Sequence, residues 1–170
     1  ARHSAWGIAF NESQRLAIQA DPSYFQRKKN AGQEGLKAAR SIALLSYRGY
    51  ESYNLKQTED DKEKFTDFKA ANYQKYQGEK LVKRFNAHSH VTLSRAMDSH
   101  NVGRGRASVE YALAQIKART LIVSISSDIL FPVPEQDYLD RHIRKSTWVI
   151  IDSDFVHDGF LIEHEKLSRI

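Results

Sequence analysis

One segment of the chain constrains its fold more than any other, because it predicts a strand, a crossover helix and a second strand. Residues 120–125 and 147–151 are short apolar runs rich in β-branched side chains, which is typical of buried parallel strands. Between them, residues 135–143 carry a helical pattern opened by Pro134. A right-handed crossover brings the C-terminal ends of both strands to one edge of the sheet. The segment therefore predicts an α/β fold.

Each predicted strand is followed by a residue suited to catalysis. Asp128 comes after the first strand and His157 after the second. Neighbouring strands lie about 5 Å apart, and open α/β sheets build their sites at this edge. A histidine acting as a general base needs a carboxylate to hold its tautomer, so we predict that Asp128 and His157 are hydrogen-bonded catalytic partners. The alternative is an aspartate in a plain turn or helix cap and a structural histidine.

The nucleophile that such a pair would serve is not evident in the chain. The order Ser, Asp, His is typical of hydrolases that carry the serine in a G-x-S-x-G turn, and that pattern is absent from the 170 residues. Only Ser168 follows His157. Ser126 and Ser127 end a predicted strand, where no strained turn would expose their hydroxyls. We therefore expect the nucleophile upstream of Ala1, and the 170 residues alone to be inactive.

Arg40 is the next informative residue. A predicted helix over residues 35–47 has one polar wedge, which with the following residue comprises Lys37, Ser41 and Arg48. Arg40 falls outside this wedge and shares a face with Leu36, Ala43 and Tyr47. A guanidinium in largely apolar surroundings must find an anion. That anion is either a carboxylate of the protein, in a structural ion pair, or a bound group.

Composition limits the classes of protein to consider. The chain has 41% hydrophobic residues, no cysteine and a net charge of +5, with the basic residues spread among acidic ones. Disulfides and thiol catalysis are therefore excluded. The sequence predicts no nucleic-acid partner, metal site or membrane span, and a cytoplasmic location follows by default. The pattern from Ala5 to Asp98 is helical, with breaks at Pro22 and around residues 30–34 and 49–54.

Across nearly its full length the chain resembles the C-terminal half of the homoserine O-acetyltransferases, which are acyltransferases of the α/β-hydrolase fold. The stretches that carry this resemblance are residues 5–11, 18–22, 35–40, 76–80, 95–98, 116–121, the Ser127-Asp128 strand end and residues 157–163. A short, charged stretch over residues 50–66 departs from the family. The resemblance implies that residues 1–105 form an inserted all-helical lid domain with a short flanking core segment. Residues 106–170 then form the C-terminal part of the core.

The resemblance also implies an activity. Acetyl would pass from acetyl-CoA, a co-substrate rather than a bound cofactor, to the hydroxyl of L-homoserine through an acyl-serine, as a step of methionine biosynthesis. Arg40 and Asp158 match family positions that bind the amino-acid substrate, and the family forms homodimers through lid helices. From its position alone, Asp158 also suits a helix N-cap for residues 159–167. The net positive charge would mildly attract coenzyme A.

Other functions remain open on the sequence. A succinyl donor in place of acetyl is one, and a serine-acetylating enzyme or an esterase of the same fold is another. A non-catalytic helical interaction module is an alternative of a different class. The residues that select the acyl donor lie near the absent serine turn.

Overall fold

The computed structural model describes residues 1–26 and 28–170 of the chain. They form two compact units. The sheet unit comprises Ala1–Gly7, Ser46–Gly49 and Asp98–Ile170, and the helical unit comprises Ile8–Leu45 and Tyr50–Met97. The division into domains at residue 105 stays a prediction. Within the described residues, no helix combines the length and the apolar character needed to cross a membrane.

The predicted helical pattern up to Asp98 is confirmed except over residues 58–68, which form no helix. Its α-helices are α1 (Ala5–Gln19), α2 (Gln33–Tyr47), α3 (Tyr50–Gln57), α4 (Lys69–Val82) and α5 (Ala87–Asp98), and a 3-10 helix covers Pro22–Phe25. The predicted break at Pro22 is present, and the one predicted around residues 30–34 ends earlier than expected, because α2 begins at Gln33. The break predicted over residues 49–54 is wrong in its extent, since α3 begins at Tyr50. Only Arg48 and Gly49 separate α2 from α3, and residues 50–57 contain no Pro or Gly to stop a helix.

The core of the helical unit is made by α1, α2 and α5. Its buried side chains are each at most 2% exposed, and they are Ile18, Leu36, Ala39, Ala87 and Val91. Helix α4 approaches α2 at Gly78, where an added Cβ would lie 3.0 Å from the Cβ of Lys37. Small residues at such crossings let two helix backbones come close.

Asp21 ties the start of α2 to the preceding 3-10 helix. Its Oδ1 accepts from the backbone N–H of Ser23 at 2.9 Å and from the Ser23 hydroxyl at 2.7 Å. Its Oδ2 accepts from the N–H groups of Glu34 at 3.0 Å and Gly35 at 3.1 Å. These N–H groups in the first turn of α2 have no partner within the helix. The hydrogen bonds, led by that of the Ser23 hydroxyl, lower the pKa of Asp21.

Replacing Asp21 with asparagine is expected to lower the free energy of unfolding by about 2 kcal/mol at pH 7. In either orientation of the asparagine amide, its nitrogen would face a backbone N–H that in the parent donates to a carboxylate oxygen. The pKa of Asp21 is lower in the folded state than in the unfolded state. Above its unfolded pKa the carboxylate therefore stabilises the folded protein fully, and this stabilisation is lost as pH falls through the folded pKa. Denaturant unfolding at pH 7 and at about pH 3 should therefore show a smaller difference between variant and parent at the lower pH.

Asp61→Asn is the matched control, because Asp61 accepts one backbone N–H in an exposed turn. It should change the free energy of unfolding by less than about 0.5 kcal/mol. An equal loss in both variants would contradict the structural role assigned to Asp21.

The sheet unit is built on two parallel strands. Helix α6 (Val109–Ala114) precedes β1 (Thr120–Ile125), and α7 (Val133–His142) connects β1 to β2 (Ser146–Ile151). The register pairs each residue of β1 with the residue 26 positions later. The predicted strand, crossover helix and strand are therefore confirmed.

One face of this small sheet is covered by the flanking helices. Leu113 of α6, Ile122 of β1 and Ile143 at the end of α7 form a buried cluster. Trp148 packs against it and donates its indole N–H to the Ser124 hydroxyl at 2.7 Å. This packing holds the two strands in place and so positions the loops that follow their C-terminal ends.

The chain after β2 differs from the single helix predicted over residues 159–167. A 3-10 helix covers Val156–Asp158, and it is followed by the short helices α8 (Gly159–Ile162) and α9 (His164–Leu167). The break falls at Glu163, whose backbone angles of φ −82° and ψ 42° leave the helical region. Lys166 donates to the Glu163 carboxylate at 3.1 Å, which stabilises this turn.

Candidate active site

The two predicted catalytic residues meet at the C-terminal edge of the sheet. The Nδ1 atom of His157 lies 2.9 Å from Oδ2 of Asp128. The predicted contact is therefore present. It arises because β1 and β2 are parallel neighbours, so the loops that follow them leave the sheet side by side.

Both side-chain oxygens of Asp128 have hydrogen-bonding partners. Its Oδ1 accepts from the backbone N–H groups of Leu130 at 2.8 Å and Phe131 at 2.9 Å. Its side chain is only 8% exposed. A carboxylate acts only as an acceptor, so the N–H at Nδ1 of His157 donates to the remaining oxygen. That tautomer leaves Nε2 unprotonated and able to take a proton.

Aromatic rings surround His157. The ring centroids of Tyr47, Phe131 and Phe160 each lie 5.4 Å from that of His157. Tyr47 is the last residue of α2, Phe131 follows the turn at Asp128, and Phe160 lies in α8. Three large rings restrict rotation of the imidazole, while 22% of its side chain stays exposed. The arrangement suits a base that must be oriented and reachable.

The residue before His157 has an unusual backbone conformation. Val156 has φ +52° and is 5% exposed. A β-branched residue rarely enters this left-handed region, and it does so at a cost of about 1–3 kcal/mol. Gly49 gives the valine room, since a Cβ added at Gly49 would lie 2.5 Å from Cγ2 of Val156. No local sequence signal predicts this turn, because valine is a poor choice for it.

The capping role suggested for Asp158 is wrong. Asp158 ends the 3-10 helix and stands at the N-cap position of α8 with helical backbone angles, but its side chain makes no capping hydrogen bond. Instead, Nε of Arg48 donates to Oδ2 of Asp158 at 3.0 Å. An ion pair with a guanidinium satisfies the carboxylate better than a neutral N–H does. Sequence analysis did not identify Arg48, which lies in the polar wedge of the predicted helix.

Arg40 lies in the helical unit, on α2. Its neighbours on the predicted face, Leu36 and Ala43, are buried, and Arg40 itself is half-buried. Lys37 of the polar wedge pairs with Glu34 at 2.9 Å. The burial pattern predicted for this helix is therefore confirmed, while a role for Arg40 in binding stays a prediction.

The hydroxyls of the two serines at the end of β1 donate hydrogen bonds to the adjacent loop. The hydroxyl of Ser126 donates to Asp152 at 2.7 Å, and that of Ser127 donates to the carbonyl oxygen of Ser153. Both hydroxyls thus have acceptors other than His157. Among the described residues, no group of three or more His, Asp or Glu side chains is placed to hold a metal ion.

Comparison with known proteins identifies relatives of this chain. A scan of family models finds no match. A homoserine O-acetyltransferase of Cyclobacterium marinum is 45% identical over 170 residues, which is all of this chain and 48% of that protein. One from Chlorobaculum tepidum is 44% identical over 99% of this chain and 48% of its own length. The chain is homologous to half of a homoserine O-acetyltransferase.

Solved structures agree with this assignment. A homoserine O-acetyltransferase from Staphylococcus aureus matches 99% of this chain and 46% of its own, with a TM-score of 0.76 and 28% identity. The homoserine O-acetyltransferase of Bacillus anthracis reaches a TM-score of 0.85 at 15% identity, over 99% of this chain and 48% of its own. At that identity the likeness concerns the fold alone.

The resemblance noted from the sequence motifs is thus confirmed. The fold is the C-terminal part of an α/β hydrolase with an all-helical insertion. The chain spans about half the length of the curated homoserine O-acetyltransferases that it matches.

Proposed function

We propose that the complete enzyme transfers an acetyl group from acetyl-CoA to the hydroxyl of L-homoserine. The observation that carries this proposal is the 2.9 Å contact between His157 and Asp128 in a chain that is 45% identical to a homoserine O-acetyltransferase. An oriented imidazole backed by a buried carboxylate is the base of hydroxyl-based acyl transfer. The serine nucleophile belongs to a segment outside these 170 residues.

The proposed reaction has two half-reactions that use the same base. Nε2 of His157 takes the proton of the serine hydroxyl as its oxygen attacks the thioester carbonyl. The imidazolium then returns the proton to the departing thiolate, which releases coenzyme A and leaves an acetyl-serine. In the second half, His157 takes the homoserine hydroxyl proton, that oxygen attacks the acetyl-serine, and the proton returns to the serine oxygen. Asp128 stabilises the imidazolium in each half.

Arg40 and Asp158 are the proposed ligands of the acceptor. A guanidinium suits a carboxylate through two parallel hydrogen bonds, and a carboxylate suits an ammonium group. Arg48 already donates to Oδ2 of Asp158, so the ammonium group of homoserine would bind the other oxygen. Arg48 thereby fixes the direction of that second oxygen.

The setting of the reaction is part of the same proposal. The activity would serve methionine biosynthesis in the cytoplasm, and the enzyme would be a homodimer formed through its helical insertion. A net charge of +5 would favour the approach of the phosphates of coenzyme A. Catalysis would need no bound cofactor.

Replacing Arg40 with alanine is expected to raise the KM for homoserine about 10- to 100-fold, since a charge-assisted hydrogen bond of about 1.5–3 kcal/mol is lost. The KM for acetyl-CoA should stay within about twofold, because the first half-reaction does not involve the amino acid. The measurement is thiol release in the complete enzyme with each substrate varied in turn.

Lys37→Ala is the matched control, because it removes the same charge one turn earlier on α2, from a side chain paired with Glu34. It should leave both KM values within about twofold. Equal damage to both half-reactions by Arg40→Ala would point to folding rather than binding. Absence of homoserine-dependent thiol release by the unmutated enzyme would overturn the proposed function itself.

A further inference from the structure

Side-chain hydroxyls extend the pairing of β1 and β2 beyond the sheet. The last backbone hydrogen bond between the two chain segments joins the Ser126 N–H to the Ile151 carbonyl at 2.9 Å. Beyond it, the Ser126 hydroxyl donates to Asp152, and the Ser127 hydroxyl donates to the Ser153 carbonyl. The two loops that carry the catalytic pair are therefore held together by serine oxygens before they reach it.

The hydroxyl of Ser127 acts as donor and acceptor at once. It donates to the carbonyl oxygen of Ser153, and it accepts from the backbone N–H of Val156 at 3.1 Å. Ser153 and Val156 are the two ends of the tight turn that leads into His157. One oxygen atom therefore closes this turn, and the Ser153 hydroxyl supports it from within by accepting the N–H of Phe155 at 3.2 Å.

The turn needs such support because of Val156. At φ +52° the valine is in a backbone region that its branched side chain disfavours. Without a hydrogen bond to its N–H, the residue would relax toward negative φ. Because Val156 precedes His157 directly, this rotation would turn the Cα–Cβ bond of His157 away from Asp128.

We propose that Ser127 is a positioning residue that holds the left-handed turn at Val156 and thereby sets the contact between His157 and Asp128. Two neighbouring residues of one loop contact two neighbouring residues of the other. The Ser127 hydroxyl accepts from the N–H of Val156, and Asp128 contacts His157. This inference rests on the proposed function insofar as His157 is the base. The structural part of it concerns only the turn and the ring that follows.

The kinetic test uses the complete enzyme and three variants. Ser127→Ala is expected to lower kcat about 10- to 100-fold, because small displacements of a catalytic group are costly, with the KM for homoserine within about twofold. Ser127→Thr keeps the hydroxyl and should recover kcat to within about threefold of the parent. Ser126→Ala is the matched control, because its hydroxyl bridges the same loops but does not contact Val156. It should keep kcat while its Tm falls about as much as that of Ser127→Ala.

Hydrolysis of p-nitrophenyl acetate is measured alongside thiol release, because it needs His157 but not homoserine. The same ranking of variants is expected in both assays. Equal kcat in Ser127→Ala and Ser126→Ala would overturn the positioning role. Absence of homoserine-dependent turnover in the unmutated enzyme, with ester hydrolysis retained, would overturn the proposed acceptor. The role of Ser127 would then be tested by the ranking of the variants in ester hydrolysis.

A structural readout makes the test independent of any activity. In a crystal structure of Ser127→Ala, φ of Val156 should turn negative and the distance from Nδ1 of His157 to Oδ2 of Asp128 should exceed the present 2.9 Å. Retention of both the positive φ and the short contact would overturn the inference.

A double variant tests the role of the turn by kinetics. Glycine enters the left-handed region without strain, so Val156→Gly combined with Ser127→Ala should recover kcat relative to Ser127→Ala. No recovery in a folded double variant would also overturn it.

Discussion

Replacing His157 with alanine is expected to lower kcat of the complete enzyme by about 10³-fold or more. The imidazole is the proposed acceptor of the hydroxyl proton in both half-reactions, and the structure orients it through Asp128 and the rings of Tyr47, Phe131 and Phe160. The methyl group of alanine cannot accept a proton. Single-turnover acetylation of the enzyme and steady-state thiol release should both fall, because His157 serves both halves.

His164→Ala is the control for this prediction. His164 is exposed, and its Nδ1 contacts the carbonyl oxygen of Ile162 at 3.0 Å, so its removal should leave kcat within about twofold. A thermal melt of each variant separates loss of chemistry from loss of fold. If His157→Ala keeps more than about a tenth of the parent kcat while folded, the base has been wrongly assigned.

The substitution of Asp128 by asparagine is expected to lower kcat by about 10³- to 10⁴-fold with little change in the fold. Asparagine can keep its oxygen on the N–H groups of Leu130 and Phe131, which now donate to Oδ1 at 2.8 and 2.9 Å. Its NH₂ group would then face Nδ1 of His157. That nitrogen must accept instead of donate, so Nε2 carries the proton and can no longer take one.

Asp152→Asn provides the isosteric control, since Asp152 follows β2 and accepts from the Ser126 hydroxyl at an exposed position. Its kcat should remain within about threefold of the parent. The position of the His157 proton can be measured directly by ¹⁵N-resolved nuclear magnetic resonance, which distinguishes the two tautomers. An Asp128→Asn enzyme that keeps the proton on Nδ1 and loses activity would refute the tautomer explanation.

The contact between Asp128 and His157 could be predicted although 29 residues separate them. Two short apolar runs joined by a helix leave few arrangements, and parallel pairing places the ends of both strands together. The buried face of α2 could also be predicted, because a helix repeats every 3.6 residues and Leu36 and Ala43 follow that repeat. These inferences rest on local periodicity and on one topological rule.

Asp158 shows where local rules fail. Its position before a predicted helix suggests a cap, because a capping side chain bonds backbone N–H groups only two or three residues away. Its observed partner, Arg48, is 110 residues away, and the energy of a charge-assisted pair exceeds that of a cap to a neutral N–H. No pattern near residue 158 identifies that partner.

By itself, the sequence determined on which elements the candidate site residues lie, because residue type and periodicity are local properties of the chain. It determined Asp128 after one strand, His157 after the next and Arg40 on an otherwise apolar helix face. Only the tertiary structure decided the ion pair of Arg48 with Asp158, the rings around His157 and the left-handed turn at Val156. That turn opposes the intrinsic preference of valine. It exists because Ser127 and Gly49, distant in sequence, supply the hydrogen bond and the space that it requires.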